Sequence, residues 1–236
     1  MRSRSWQVRL ALAAALTTGG APAALAQTSS IDLRATDGGF TTQTLVGGGT
    51  PWTWVAGDGW VTLGTFAVAR KRLLSPVFVA TADASAMTAE HRFIFEGDET
   101  QDRCADAGVV FASVDGGAFT PLLPGGAPYS GVISTAGQNP LAGGGQRGFC
   151  GFSPFGLVTS VFSAAVGAGS TVQFAFDGGW GDGNAFVNPN WVIERVTLRN
   201  LTPAEQIVPE PSTYALVATG LAMVAGAARR RRGRTR

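Results

Sequence analysis

The stretch EGDETQDRCAD, Glu96–Asp106, crowds Glu96, Asp98, Glu99, Asp102 and Asp106 into one short segment. Such a cluster suits a hard cation, since Ca2+ takes about six to eight oxygen ligands and extracellular sites bind it weakly. A second oxygen-rich stretch, DGGWGDGN, offers Asp177, Asp182 and Asn184 to the same ion. Neither follows EF-hand spacing, and the competing reading for each is a solvated acidic loop. Paired carboxylates also serve glycoside hydrolysis, but crowding in one loop does not place two groups on either side of a sugar. Base chemistry has few candidates: His91 is the only histidine and Lys71 the only lysine. No GxSxG, HExxH or P-loop pattern is present, so Ser–His–Asp chemistry has little support. His91 shares a strand face with Phe93 and Phe95, where a lone histidine is more often packed or partly exposed than catalytic. Trp180, flanked by Gly-Gly and Gly-Asp-Gly, is expected in an exposed loop where its indole can stack on a sugar ring. Trp52, Trp54, Trp60 and Trp191 are expected to plug the core. No residue is assigned a catalytic role, and the chain is read as a non-enzyme.

The elements that must position these residues are short. No sustained 3.6-residue apolar pattern occurs between residues 27 and 208. Instead, alternating or β-branched runs recur between Gly, Pro, Asp and Asn, among them WVTLGTF (Trp60–Phe66), EHRFIFEG (Glu90–Gly97) and WVIERVTLRNL (Trp191–Leu201). In STVQFAF, Val172, Phe174 and Phe176 alternate with Thr171, Gln173 and Ala175, the pattern of a half-buried strand. Asp-Gly-Gly at 37, 115 and 177 and Asp-Gly at 58 and 182 read as turns, because glycine accepts positive φ. Short strands with regular turn signals predict an all-β, antiparallel β-sandwich of jelly-roll type. The glycine-rich segment Leu122–Gly151 is expected to be a long surface excursion. Cys104 and Cys150 in an exported chain are most simply a disulfide, tying that excursion down; the alternative is two buried thiols.

The ends of the chain carry addresses. Arg2, Arg4 and Arg9, an apolar run from Leu10 to Leu16 and Ala24-Leu25-Ala26 before Gln27 read as a secretory signal peptide cut between Ala26 and Gln27, the competing reading being an uncleaved membrane anchor. At the other end, 16 residues from Thr213 to Ala228 are apolar or small and precede Arg229–Arg232. As a helix they span about 24 Å against a hydrocarbon core of about 30 Å, so they can cross with local thinning. The arginines hold the C-terminus in the cytoplasm. Half of the 18 basic residues lie in these ends, leaving residues 27–208 with 9 Lys/Arg against 15 Asp/Glu, a net of −6. That charge disfavours nucleic acid and suits divalent cations or neutral glycans. The expected organisation is a signal peptide over 1–26, a sandwich domain over 27–203, a linker over 204–211, a transmembrane sorting helix over 212–228 and a basic cytoplasmic tail over 229–236.

Two resemblances follow. Val208-Pro209-Glu210-Pro211-Ser212-Thr213, an apolar stretch and Arg229-Arg230-Arg231-Arg232 resemble the PEP-CTERM sorting signal in all three of its parts. This implies recognition and cutting by an exosortase-like enzyme of a Gram-negative, exopolysaccharide-making bacterium, after transient anchoring in the inner membrane. The competing reading is an ordinary, unprocessed anchor. The middle resembles MAM-like and peptidase-appended jelly-roll modules of secreted proteins. That likeness rests on PWTWVAGDGW, Leu74-Ser75-Pro76, VVFASVDGGAFTPL, AGSTVQFAF and the closing Trp191-Val192-Ile193-Glu194-Arg195-Val196, where Glu194 replaces the family's usual Asp. Such modules are mostly adhesive, oligomerising or glycan-associated. Together these features imply a non-enzymatic structural or adhesive component of the cell surface or biofilm matrix, with exopolysaccharide as a partner. The alternatives are a lectin-like glycan-binding module and, behind it, a carboxylate-dependent glycoside hydrolase.

Overall fold

A computed structural model describes residues 26–98, 102–153, 156–181 and 189–204. These residues form an all-β body in which two sheets pack face to face. The first sheet runs in the order β12 (Pro124–Gly126), β16 (Val158–Ala164), β7 (Ser85–Phe95), β18 (Pro189–Arg199), β4 (Gly59–Leu63) and β3 (Thr53–Val55). Two short strands share edges with longer neighbours: β1 (Thr28–Asp32) lies beside β18 and β15 (Gly151–Phe152) beside β7. The second sheet runs β11 (Thr120–Pro121), β10 (Ala107–Val114), β17 (Thr171–Trp180), β5 (Ala69–Leu74) and β2 (Thr41–Val46). Beyond the end of β5, β6 (Phe78–Ala80) pairs with β17 and with β19 (Leu201–Pro203). A small third sheet carries β14 (Arg147–Gly148), β13 (Gly131–Ile133), β9 (Arg103–Cys104) and β8 (Gly97–Asp98). The pairing of β13 with β9 is parallel; every other described strand pair is antiparallel. No helix among the described residues is long and apolar enough to cross a membrane.

The core forms where alternation brings large side chains to the inner faces. Along β7, Met87, Ala89, His91, Phe93 and Phe95 are buried, while Arg92 is exposed. Along β18 the spacing breaks, because Ile193 and Val196 are three residues apart yet both fully buried. A register shift between Ile193 and Arg195 reconciles them: the bulge inserts one residue and keeps both apolar side chains inside. Trp191 lies 5.7 Å from Phe176 and 6.0 Å from Phe95, and Phe95 lies 6.0 Å from Trp180, so rings from both sheets interlock.

Two expectations fail here. Asp177-Gly178-Gly179 is no turn; it continues β17, with Gly178 opposite Gly108 on β10 and Lys71 on β5. Both glycines are cut away for indoles. A Cβ on Gly108 would sit 2.6 Å from the Trp191 ring, and one on Gly178 would sit 2.5 Å from the Trp180 ring. The Asp115-Gly116 turn, by contrast, has φ of 51° and 71° as a tight hairpin requires. Nor is Leu122–Gly151 a surface excursion throughout. Tyr129, Ile133, Leu141 and Phe149 are buried, and Phe149 packs 5.9 Å from Trp191 in the core.

Candidate functional site

His91 sits on β7 in an aromatic cage, 5.8 Å from Phe93 and 4.8 Å from Phe149 between ring centroids. The Trp191 indole N–H donates to its Nδ1 at 3.1 Å, and its Nε2 lies 3.0 Å from the Ser160 hydroxyl on β16. An indole nitrogen can only donate, so Nδ1 accepts and the proton resides on Nε2. His91 therefore donates to Ser160 Oγ, which passes its own hydrogen to the Ala127 carbonyl at 3.1 Å. The chain of three bonds is complete and runs from the indole through the imidazole to the serine and on to the carbonyl, the reverse of a histidine activating a serine. Burial lowers the His91 pKa to about 3. This network is a polar staple joining β7, β16 and β18.

The acidic stretch does not converge. Asp102, in a left-handed turn with φ of 54°, takes two hydrogen bonds of 2.8 and 2.7 Å from the Arg147 guanidinium, which holds its carboxyl below the usual range. Asp106 turns inward. It is buried and accepts the Gly181 N–H at 2.9 Å, and burial pushes its pKa up to about 7, with Glu96 adding repulsion. Glu96 serves the turn through its carbonyl, which accepts the N–H groups of Ala105 and Asp106, both at 3.0 Å. Asp98 is placed on β8 opposite Arg103. Among the described residues no three His, Cys, Asp or Glu side chains are grouped to hold a metal. Asp102 and Asp106 of the expected Ca2+ set are thus engaged by separate partners, and the side chain of Asp98 lies outside the described residues.

The second cation stretch is overturned at its first residue. Asp177 is fully buried on the outer face of β17 and grips two guanidinium groups: Arg70 Nε at 2.8 Å, and Arg72 through Nε at 2.7 Å and Nη2 at 2.8 Å. Arg72 also lies 4.3 Å from the Phe119 ring centroid. A carboxylate so engaged is unavailable to a cation. Asp182 and Asn184 lie outside the described residues, as does Glu99.

Trp180 is also corrected: it is fully buried. Its indole N–H donates to Asn190 Oδ1 at 3.0 Å, and the Lys71 ammonium lies 4.7 Å from a ring centroid of its indole. Neither face is open to a sugar. The glycines that suggested an exposed loop are small because the ring needs their space. Trp52 and Trp191 are buried, as expected, and Trp54 is partly buried. The expected disulfide is present between Cys104 and Cys150, with Cα atoms 5.5 Å apart.

A feature that sequence patterns did not disclose lies along one open edge. There β1 and β19 leave a slot of about 560 Å³, lined by Ser29 and Ile31 of β1, Leu198 of β18, Val77, Phe78 and Ala204. The start and end of the described body meet beside it. The Asn200 N–H donates to the Gln27 carbonyl at 2.8 Å, and the Ala204 N–H to the Val77 carbonyl at 2.9 Å. The sorting residues Val208–Thr213 and Arg229–Arg232 lie beyond the described residues, as does the signal segment up to residue 25.

Residues 208–232 match the model of the PEP-CTERM protein-sorting motif. This supports processing by an exosortase, with export and a membrane-anchored transit before sorting. No curated protein matches the chain. Among solved structures, it is similar to the catalytic domain of a GH87 alpha-1,3-glucanase in complex with nigerose, at 13% identity and a TM-score of 0.26. A variant of such a domain in complex with tetrasaccharides aligns at 13% identity and a TM-score of 0.27. Each alignment covers 78% of this chain and 30% of the other, so the chain spans under a third of those structures. Likeness at that level carries no statement about chemistry.

Proposed function

We propose that this chain is an exported protein sorted by an exosortase to the cell surface or exopolysaccharide matrix of a Gram-negative bacterium, where its β-sandwich body serves as a non-enzymatic structural or adhesive component. The observation that carries the reading is the sorting motif over residues 208–232. The body supports it by how its polar groups are used. His91 and Asp177, the residue types from which a hydrolase would be built, instead join strands to one another. Their burial makes them interior fasteners of a folded spacer or adhesin. The disulfide suits a protein that works outside the cytoplasm. In this reading residues 27–203 are the working domain, 204–211 the linker, 212–228 the transient anchor and 229–236 the cytoplasmic stop.

Mass spectrometry of the protein recovered from culture medium and matrix tests the assignment. The expected product begins at Gln27 and lacks the arginine cluster, and a host without its exosortase should retain the uncut chain in the membrane. An extracellular protein that still ends in Arg236 sinks the sorting claim.

A further inference from the structure

We propose that β2 is a self-pairing edge: two copies of this chain join antiparallel along it, about a two-fold axis at Gln43, to make one continuous sheet. β2 closes one side of the second sheet, with β5 as its one strand neighbour among the described residues. Five of its six residues are exposed, Leu45 and Val46 among them. Open edges are ordinarily blunted by brevity, charge or proline, and the others here are. Every other terminal strand is two or three residues long except β1, which ends in Asp32, ion-paired with Arg34 and Arg195. β2 reads Thr-Thr-Gln-Thr-Leu-Val, with no charge and no proline. Arg70 and Arg72 on β5 lean towards Asp177 on β17, away from β2, and leave the edge neutral.

The backbone phase of β2 selects the partner. The Ser75 N–H donates to the Phe174 carbonyl on β17 at 2.9 Å. Backbone direction alternates along a strand, so Leu74 and Arg72 turn their N–H and C=O groups to β2. Thr41 and Gln43 stand opposite those two residues and take up their bonds. Thr42 and Thr44 therefore aim theirs at the open side. In an antiparallel ladder each residue faces one of its own kind, so a two-fold axis must pass through a residue and not between two. Centred on Gln43, it sets Thr42 of each copy opposite Thr44 of the other, and each pair exchanges both hydrogen bonds. Centred on Thr42 it would call on Phe40, which is buried; centred on Thr44 it would meet the register shift between Thr44 and Val46. The edge is complementary to itself in one register, and a second copy supplies the match.

Because the axis is two-fold, pairing closes at a dimer and does not grow into a fibre. A ladder this short engages far fewer than the roughly 20–30 residues a side of a stable complex, so the contact is reversible in dilute solution. It fills where copies are held close together, since tethering raises their effective concentration. That consequence for a surface or matrix component rests on the function proposed above; the pairing itself does not.

Cysteine cross-linking of the purified full-length chain tests this, since both native cysteines are already joined. Opposed residues that exchange no hydrogen bond have Cα atoms about 4.5 Å apart, within reach of a disulfide. Gln43→Cys should therefore link copy to copy about tenfold faster under mild oxidation than Leu123→Cys, Leu123 being exposed elsewhere on the same fold. Mass spectrometry of the linked peptides follows both. Contacts made by the rest of the chain raise the two rates alike. Adding Thr44→Pro to Gln43→Cys removes an outward N–H and no bond to β5, so the fold stays and the rate should drop to that of Leu123→Cys. Equal rates for Gln43→Cys and Leu123→Cys, or a fast rate that survives Thr44→Pro, would overturn the pairing. No exosortase is present, so failure here leaves the sorting assignment standing, and failure of C-terminal processing in cells leaves the pairing standing.

Discussion

Burial favours the neutral His91 imidazole and the protonated Asp106 carboxyl, and the two give stability opposite slopes with pH. The His91 pKa is about 3 in the fold against 6.5 in an unfolded chain. Its contribution is complete above pH 6.5 and declines as pH falls towards 3, by about 1.4 kcal/mol per unit. The Asp106 pKa is about 7 in the fold against 3.8. Its contribution is complete below pH 3.8 and is lost as pH rises to 7, at the same slope. Between about pH 4 and 6.5 the two oppose each other. Urea melts across that window should show Asp106→Asn gaining stability over the parent as pH rises, and His91→Gln gaining it as pH falls. Parallel profiles for parent and variants would refute both environments. Steric need is as local as charge. Gly178→Ala places a methyl against the Trp180 ring and should cost about 1–3 kcal/mol in a denaturant melt. Gly48→Ala, which meets nothing within 4 Å, should change little.

At the scale of elements, the Cys104–Cys150 bond anchors β9 to the residue preceding β15 and so closes a loop with a sequence separation of 46. Replacing both cysteines by alanine should lower stability by about 4 kcal/mol on the chain-entropy model, read as a fall in denaturant midpoint with a larger m-value, because the uncrosslinked denatured chain exposes more surface. The strands themselves were largely legible. Alternation in STVQFAF and EHRFIFEG places Phe174, Phe176, Phe93 and Phe95 in the core, because a period of two survives wherever one sheet face is buried. What misled was glycine. Asp-Gly-Gly at 115 is a hairpin turn and at 177 is strand interior, since a missing side chain serves either a positive φ or the close approach of a ring. One motif cannot say which. The buried role of Asp177 was illegible for a related reason: its partners Arg70 and Arg72 are more than a hundred residues away. Tyr129 and Phe149 were hidden by their glycine-rich surroundings, which look like loop although these rings complete the core.

For the whole molecule, charge and hydrophobicity divide by region: residues 27–208 are net acidic, and half of the basic residues lie at the ends beside apolar runs. The sandwich depends on its last long strand. β18 pairs with β7 on one side and with both β4 and β1 on the other, so removing it separates most of the first sheet. A chain spanning residues 27–181 should show no cooperative thermal transition by circular dichroism, whereas residues 27–204 should melt as one unit. Cooperative melting of the shorter chain would contradict that dependence. Synthesis runs from N- to C-terminus, and this position of β18 acts as a clock. Some 170 residues of the body are made before its central strand is available, and Cys104 must wait for Cys150 well before then. The nascent body thus lacks its central strand through nearly all of its production. It closes only after Arg199 appears, a few residues ahead of Val208, so completion of the fold and arrival of the sorting segment fall at almost the same moment.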